Sequence, residues 1–206
     1  MFCTPFLYML DLFSTAVFAA SGALVAREQH RNSLTAVGYA ILTAVGGGTL
    51  RDIVLRQPIF WTKAPVYFLL AMSVGLSVFV FSAFARLRHR QLWLMDAIGL
   101  ATFTIVGTQH VLQLPIAASL SLLMRWLPPA MGLMTGVGGG IVRDLLSRQM
   151  PYVLRNPGYA IASFTGGSVY YGLASLQGSK VVAIGVAIAT VLFTLPHINK
   201  AIKPFF

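Results

Sequence analysis

Two stretches of this chain say almost the same thing: "AVGGGTLRDIVLRQ" at 44–57 and "GVGGGIVRDLLSRQ" at 136–149. Each follows an apolar run and sets three glycines, then Arg-Asp, where a membrane helix would otherwise continue. Charges at membrane depth cost about 2.5–3.5 kcal/mol each on insertion scales, and they are tolerated against a partner or a water-filled cavity. A chain that writes this twice must fold so that both copies are accommodated.

The setting is a membrane. Mean hydropathy is +0.77, with 57% hydrophobic and 10% charged residues, against about 25% charged in a soluble domain. Seven apolar segments fall at about 5–26, 33–50, 65–85, 93–112, 116–138, 157–176 and 180–197, near the roughly 17–25 residues of a helical span. The connections are short, and no linker or soluble domain interrupts the single membrane domain 1–206.

Segments one to three recur as four to six. "DLFSTAVFAASG" (11–22) matches "DAIGLATFTIVG" (96–107) at an offset of 85, while the glycine triplets, Pro65/Pro157, Tyr67/Tyr159 and Gly75/Gly167 match at an offset of 92. Seven extra residues therefore lie in the fourth-to-fifth connection. Each unit has three spans, an odd number, so the second enters the membrane from the opposite face, as in many transport proteins. The expected fold class is an all-α polytopic membrane protein with seven transmembrane helices. Two inverted three-helix repeats (about 5–85 and 93–176) precede a seventh helix (about 180–197), and helices two and five are broken at the Gly triplets.

The net charge of +10 would suggest nucleic acid in a soluble protein, but the basic residues sit mostly between apolar runs, where they set topology. Arg27, Arg31, Arg86, Arg88, Arg90, Arg143, Arg148, Arg155, Lys200 and Lys203 fall on one side, against Arg51, Arg56, Lys63, Arg125 and Lys180 on the other. That count puts the N-terminus outside and the C-terminus in the cytoplasm. A leader-like "FAASGA" (18–23) lacks a basic n-region and has Asp11 within its apolar stretch, so it reads as a span. The single cysteine, Cys3, excludes an internal disulfide, and the four scattered histidines offer no metal spacing. No cofactor and no enzymatic constellation is expected.

The triplets Gly46–Gly48 and Gly138–Gly140 carry two readings. One is close helix packing. The other is a break that frees carbonyls to face a cation, favoured by the recurrence and by the Arg-Asp that follows each copy. Depth then permits the pairs Asp11–Arg51 and Asp96–Arg143, while Asp52 and Asp144 point to other faces than the arginines beside them. The plainer role for Asp11 and Asp96 is helix capping. Ser14, Thr15 and Ser21 add hydroxyls to span one and Thr102 and Thr104 to span four; Ser14, Thr15 and Thr102 are candidate pore hydroxyls, although such groups more often bond back to their own helix. Trp61, Trp93 and Trp126 lie near span ends, as interface anchors should.

The doubled "GGG-x-x-R-D" in two inverted three-span repeats, followed by a seventh span, resembles the prokaryotic trimeric intracellular cation (TRIC) channels over essentially the whole chain. The resemblance implies a homotrimer whose subunits each carry a potassium-permeable pore between spans one, two, four and five. The same family has also carried a glycine-transporter label, so a carrier for a small zwitterion competes with a channel. Eukaryotic members place a Lys-Glu pair against a phosphoinositide; Arg143-Asp144 stands there here, with Arg148 close behind, which implies an anionic-lipid contact.

Overall fold

The computed structural model describes residues 5–81, 89–115, 125–176 and 180–202, with side chains at all of these except 89–90 and 196–202. Nine helices form among them: α1 (Pro5–Glu28), α2 (Ser33–Val54), α3 (Phe60–Lys63), α4 (Val66–Phe81), α5 (His89–Leu112), α6 (Leu127–Leu146), α7 (Tyr152–Arg155), α8 (Pro157–Ser175) and α9 (Lys180–Ile202). Pro5–Glu28, Ser33–Val54 and Gln91–Leu112 are long and apolar enough to cross a membrane, and Val66–Phe81 and Lys180–Leu195 are shorter apolar helices. The start of the expected fifth span (116–124), together with Arg86, Arg88, Lys203 and Cys3, lies outside the described residues.

Local chemistry sets the ends. Asn32 caps α2 by accepting from Thr35 N at 2.9 Å, and prolines occupy the first turns of α6 and α8, where the missing N–H is not needed. The C-termini are less ordinary. After α2, Gln57 N donates to Asp52 O and Arg56 N to Ile53 O; after α6, Gln149 N donates to Asp144 O and Arg148 N to Leu145 O. These are paired Schellman closures, and the left-handed residue in each is an arginine: Arg56 at φ 52° and Arg148 at φ 54°. A side chain there costs about 1–2 kcal/mol that glycine avoids. Arg56→Gly and Arg148→Gly should therefore each raise stability by about 1 kcal/mol, read as a higher unfolding temperature in detergent.

The repeat is visible in the packing. Helix α1 packs on α2 and α4 as α5 packs on α6 and α8, and the equivalent helices meet directly, α1 on α5 and α2 on α6. Phe18 stacks on its counterpart Phe103 at 5.3 Å between ring centroids. A Cβ on Gly47 would strike Thr135 O, and a Cβ on Gly139 would strike Thr43 O. Thr43 and Thr135 are themselves counterparts at the offset of 92, so the contact is reciprocal, the signature of a twofold relation. With three main helices in each unit, α1, α2 and α4 against α5, α6 and α8, an odd number, that relation inverts one against the other. Helix α9 closes the bundle against α5 and α8.

The triplets do not break their helices. Helix α2 runs through Gly46–Gly48 to Val54, and α6 through Gly138–Gly140 to Leu146; no glycine among the described residues has a positive φ. The carbonyls expected to be free at the glycines are within continuous helix. What the glycines supply is the missing Cβ: besides Gly47 and Gly139, a Cβ on Gly138 would lie 2.7 Å from Gly47 Cα. Close approach of two backbones offsets the roughly 1 kcal/mol by which each glycine weakens a helix.

Candidate functional site

The Arg-Asp pairs sit in the last turn of α2 and of α6, and all four side chains are buried. In repeat two, Arg143 uses every nitrogen. Its Nε and Nη2 donate to Asp144 Oδ1 at 3.0 and 2.7 Å, and its Nη1 pairs with Asp96 and donates to Ser21 Oγ at 2.5 Å. Ser21 in turn donates to the same Asp96 oxygen at 3.2 Å. The expected Asp96–Arg143 pair is formed, with a hydroxyl from repeat one inside it.

Repeat one differs. Arg51 Nε and Nη2 donate to Asp52 Oδ1 at 2.9 and 2.7 Å, whereas Asp11 accepts from the Tyr67 hydroxyl at 2.6 Å. The expected Asp11–Arg51 bond is not made. In both repeats the arginine takes the aspartate beside it, against the rule that i,i+1 residues diverge. That rule describes the surface of a helix interior; here the helix ends within a few residues, and a long guanidinium folds back over the terminus.

The aspartates also anchor the next element. Asp52 Oδ2 accepts from Phe60 N at 2.8 Å and Asp144 Oδ2 from Tyr152 N at 2.7 Å, which fixes the starts of α3 and α7. The rings above are matched as well, Phe60 edge-on to Tyr67 and Tyr152 edge-on to Tyr159. On the repeat-one side His110 Nε2 approaches Asp52 at 3.8 Å.

Ser14 and Thr15 donate to the carbonyls of Leu10 and Asp11, and Thr102 to that of Ile98, so each hydroxyl proton is held by its own helix. Arg148 is exposed beside the buried cluster. A small cleft reaches the repeat-two charges, lined by Phe18, Asp96, Gly140, Arg143, Asp144 and Tyr159 among others. Tyr67 was not read from the sequence as a site residue, although its match to Tyr159 was a usable signal; Ser21 was legible only as one of the hydroxyls on span one.

A family model described as glycine transporter matches residues 8–83 and 93–175, one stretch for each repeat. The chain belongs to this family. Relatives similar to it include a UPF0126 membrane protein of Vibrio cholerae, 36% identical over 95% of this chain and 80% of the relative. The UPF0126 inner membrane protein YadS of Escherichia coli is 38% identical over 79% of this chain and 76% of its own length. Among solved structures, the TRIC trimeric intracellular cation channel orthologue from Rhodobacter sphaeroides matches with a TM-score of 0.86 at 31% identity, over 95% of this chain and 98% of that one. A prokaryotic TRIC channel solved in 0.5 M KCl matches with a TM-score of 0.80 at 25% identity over 95% and 96%. The TRIC resemblance carried by the doubled motif is thus shown in the fold, and the chain is an integral membrane protein.

Proposed function

We propose that the protein is a non-enzymatic channel for monovalent cations, potassium among them, with one pathway per subunit between α1, α2, α5 and α6. The observation that carries this reading is the pair of buried charge clusters on those four helices, one at the end of each central helix. Each cluster has two carboxylates and one guanidinium: Asp11, Asp52 and Arg51 in one, Asp96, Asp144 and Arg143 in the other. Each thus keeps one formal negative charge in a low-dielectric setting, which favours a cation over an anion. The likeness to TRIC channel structures supports the same reading. Gly46, Gly47, Gly138 and Gly139 bring the two central helices together so that the clusters face one pathway, Gly48 makes room for Phe60, and Ser14, Thr15 and Thr102 offer hydroxyl oxygens along the pathway.

By the same reading the assembly is a homotrimer in a bacterial or archaeal cell membrane, with the N-terminus outside, the C-terminus cytoplasmic, and the exposed Arg148 near anionic headgroups, whereas Arg143 is buried with every nitrogen taken and does not reach them. The glycine transporter description of the family favours a second reading, a carrier for glycine or a similar zwitterion. Purified protein in a planar bilayer under a potassium gradient separates the two. A channel gives unitary currents reversing near the potassium equilibrium potential; saturable glycine flux without discrete openings would replace this proposal by the carrier.

A further inference from the structure

The two repeats are built from matched residues yet hold their matched aspartates differently. Asp96 is on an arginine, and its counterpart Asp11 is on a tyrosine. The tyrosine of repeat two is present, as Tyr159, and among the described residues it does not donate to Asp96. The arginine of repeat one is present, as Arg51, and is not on Asp11. Both halves own both partners. Something other than the aspartate, tyrosine and arginine therefore decides which partner is taken.

One residue that differs, and that touches the Asp96–Arg143 pair directly, is Ser21. Its hydroxyl is fully buried, accepts from Arg143 Nη1 and donates to Asp96 Oδ1, and so welds the repeat-two ion pair from the other repeat. At the offset of 85 its counterpart is Val106, which lies in an apolar cluster with Phe18, Ala44 and Ala71. Under the repeat symmetry Val106 holds the place that would face Asp11 and Arg51, and a valine can neither accept from a guanidinium nor donate to a carboxylate. A second difference runs alongside: Thr135 donates to Met131 O at 2.7 Å, while the hydroxyl of its counterpart Thr43 is buried without a hydrogen-bond partner. At this position too the repeat-two hydroxyl is bonded and its repeat-one counterpart is not.

We infer that Ser21 is a positioning residue that latches Asp96 to Arg143, and that the halves are thereby held in opposite states of one aspartate switch. The inference rests on the channel reading in what it says of current. At the latched end both carboxylates share one arginine through three guanidinium nitrogens. At the other end Asp11 carries its charge beside a tyrosine, free of an arginine bond, and attracts cations more strongly. The two mouths of the pathway are electrostatically unequal, so current through a single channel rectifies.

The test compares wild type, Ser21→Ala and Ser21→Thr by single-channel recording in symmetric potassium chloride, after one-sided addition of protein to the bilayer. Wild type should rectify, Ser21→Ala should bring the ratio of inward to outward current toward one, and Ser21→Thr, which keeps the hydroxyl, should restore it. A structure of Ser21→Ala supplies a reading independent of conduction: Asp96 should be found accepting from Tyr159, the arrangement Asp11 already has with Tyr67. If wild type passes no current, the channel reading fails while the structure still decides the latch. Asp96 remaining on Arg143 in Ser21→Ala, or an unchanged rectification ratio in a conducting variant, would overturn the inference.

Discussion

Gly47→Ala and Gly139→Ala are each expected to cost about 3 kcal/mol or more, at or above the top of the 1–3 kcal/mol usual for overpacking. The added Cβ meets a backbone carbonyl of the facing helix in both cases, Thr135 O or Thr43 O. A carbonyl bonded within its own helix cannot rotate away as a side chain can. The helices must separate, and the crossing that joins the repeats is lost. Gly140→Ala is the control, because nothing lies within 4 Å of the position its Cβ would take, and alanine should add up to about 1 kcal/mol through helix propensity. Thermal unfolding in detergent reads both. Equal effects at 47, 139 and 140 would mean that the triplet acts through backbone freedom, the reading the continuous helices argue against.

Asp144→Ala should be comparably severe. Its carboxylate accepts from two nitrogens of Arg143 and from Tyr152 N, all in a buried corner. Removing one member of a buried ion pair costs about 3–5 kcal/mol, because the other is left desolvated. Asp96 and Ser21 still hold one nitrogen of Arg143, so the lower half of that range is expected from the charge, with the lost hold on α7 added to it. Asp144→Asn keeps an acceptor oxygen for Tyr152 N and should lose about half as much. Folded yield and unfolding temperature measure the series, and Asp52→Ala should fall in the upper half of the range, because Asp11 does not bond Arg51 and cannot hold it in place of Asp52. A loss below about 1 kcal/mol for both alanine variants would mean that water reaches the corner and screens it.

The architecture was legible in the sequence because duplication leaves marks that survive divergence. The offsets of 85 and 92 align Asp11 with Asp96 and Tyr67 with Tyr159, and an odd number of spans dictates inversion. The Asp96–Arg143 pair was legible from depth alone. Asp11–Arg51 was not, since depth permits a partner without choosing between an arginine and a tyrosine at the same level. The glycines misled in an instructive way. Their propensity cost is local and readable, whereas the carbonyl each one admits belongs to a helix most of a repeat away. The helix stops were hidden for the opposite reason: an arginine in the left-handed region carries no sequence signal, although Arg56 and Arg148 recur as faithfully as the glycines.

The unequal wiring of the two halves also sets an order of assembly. Among the described residues, every hydrogen-bond partner taken by the side chains of Asp11, Arg51 and Asp52 lies within residues 5–81, so the first repeat can settle its charges as soon as it has been synthesised. The second cannot. Arg143 must find Ser21, 122 residues earlier in the chain, and loop closure over such a span is slow compared with local pairing. The first repeat therefore has these charges paired before the second arrives, and the second completes its own polar core only by docking onto it.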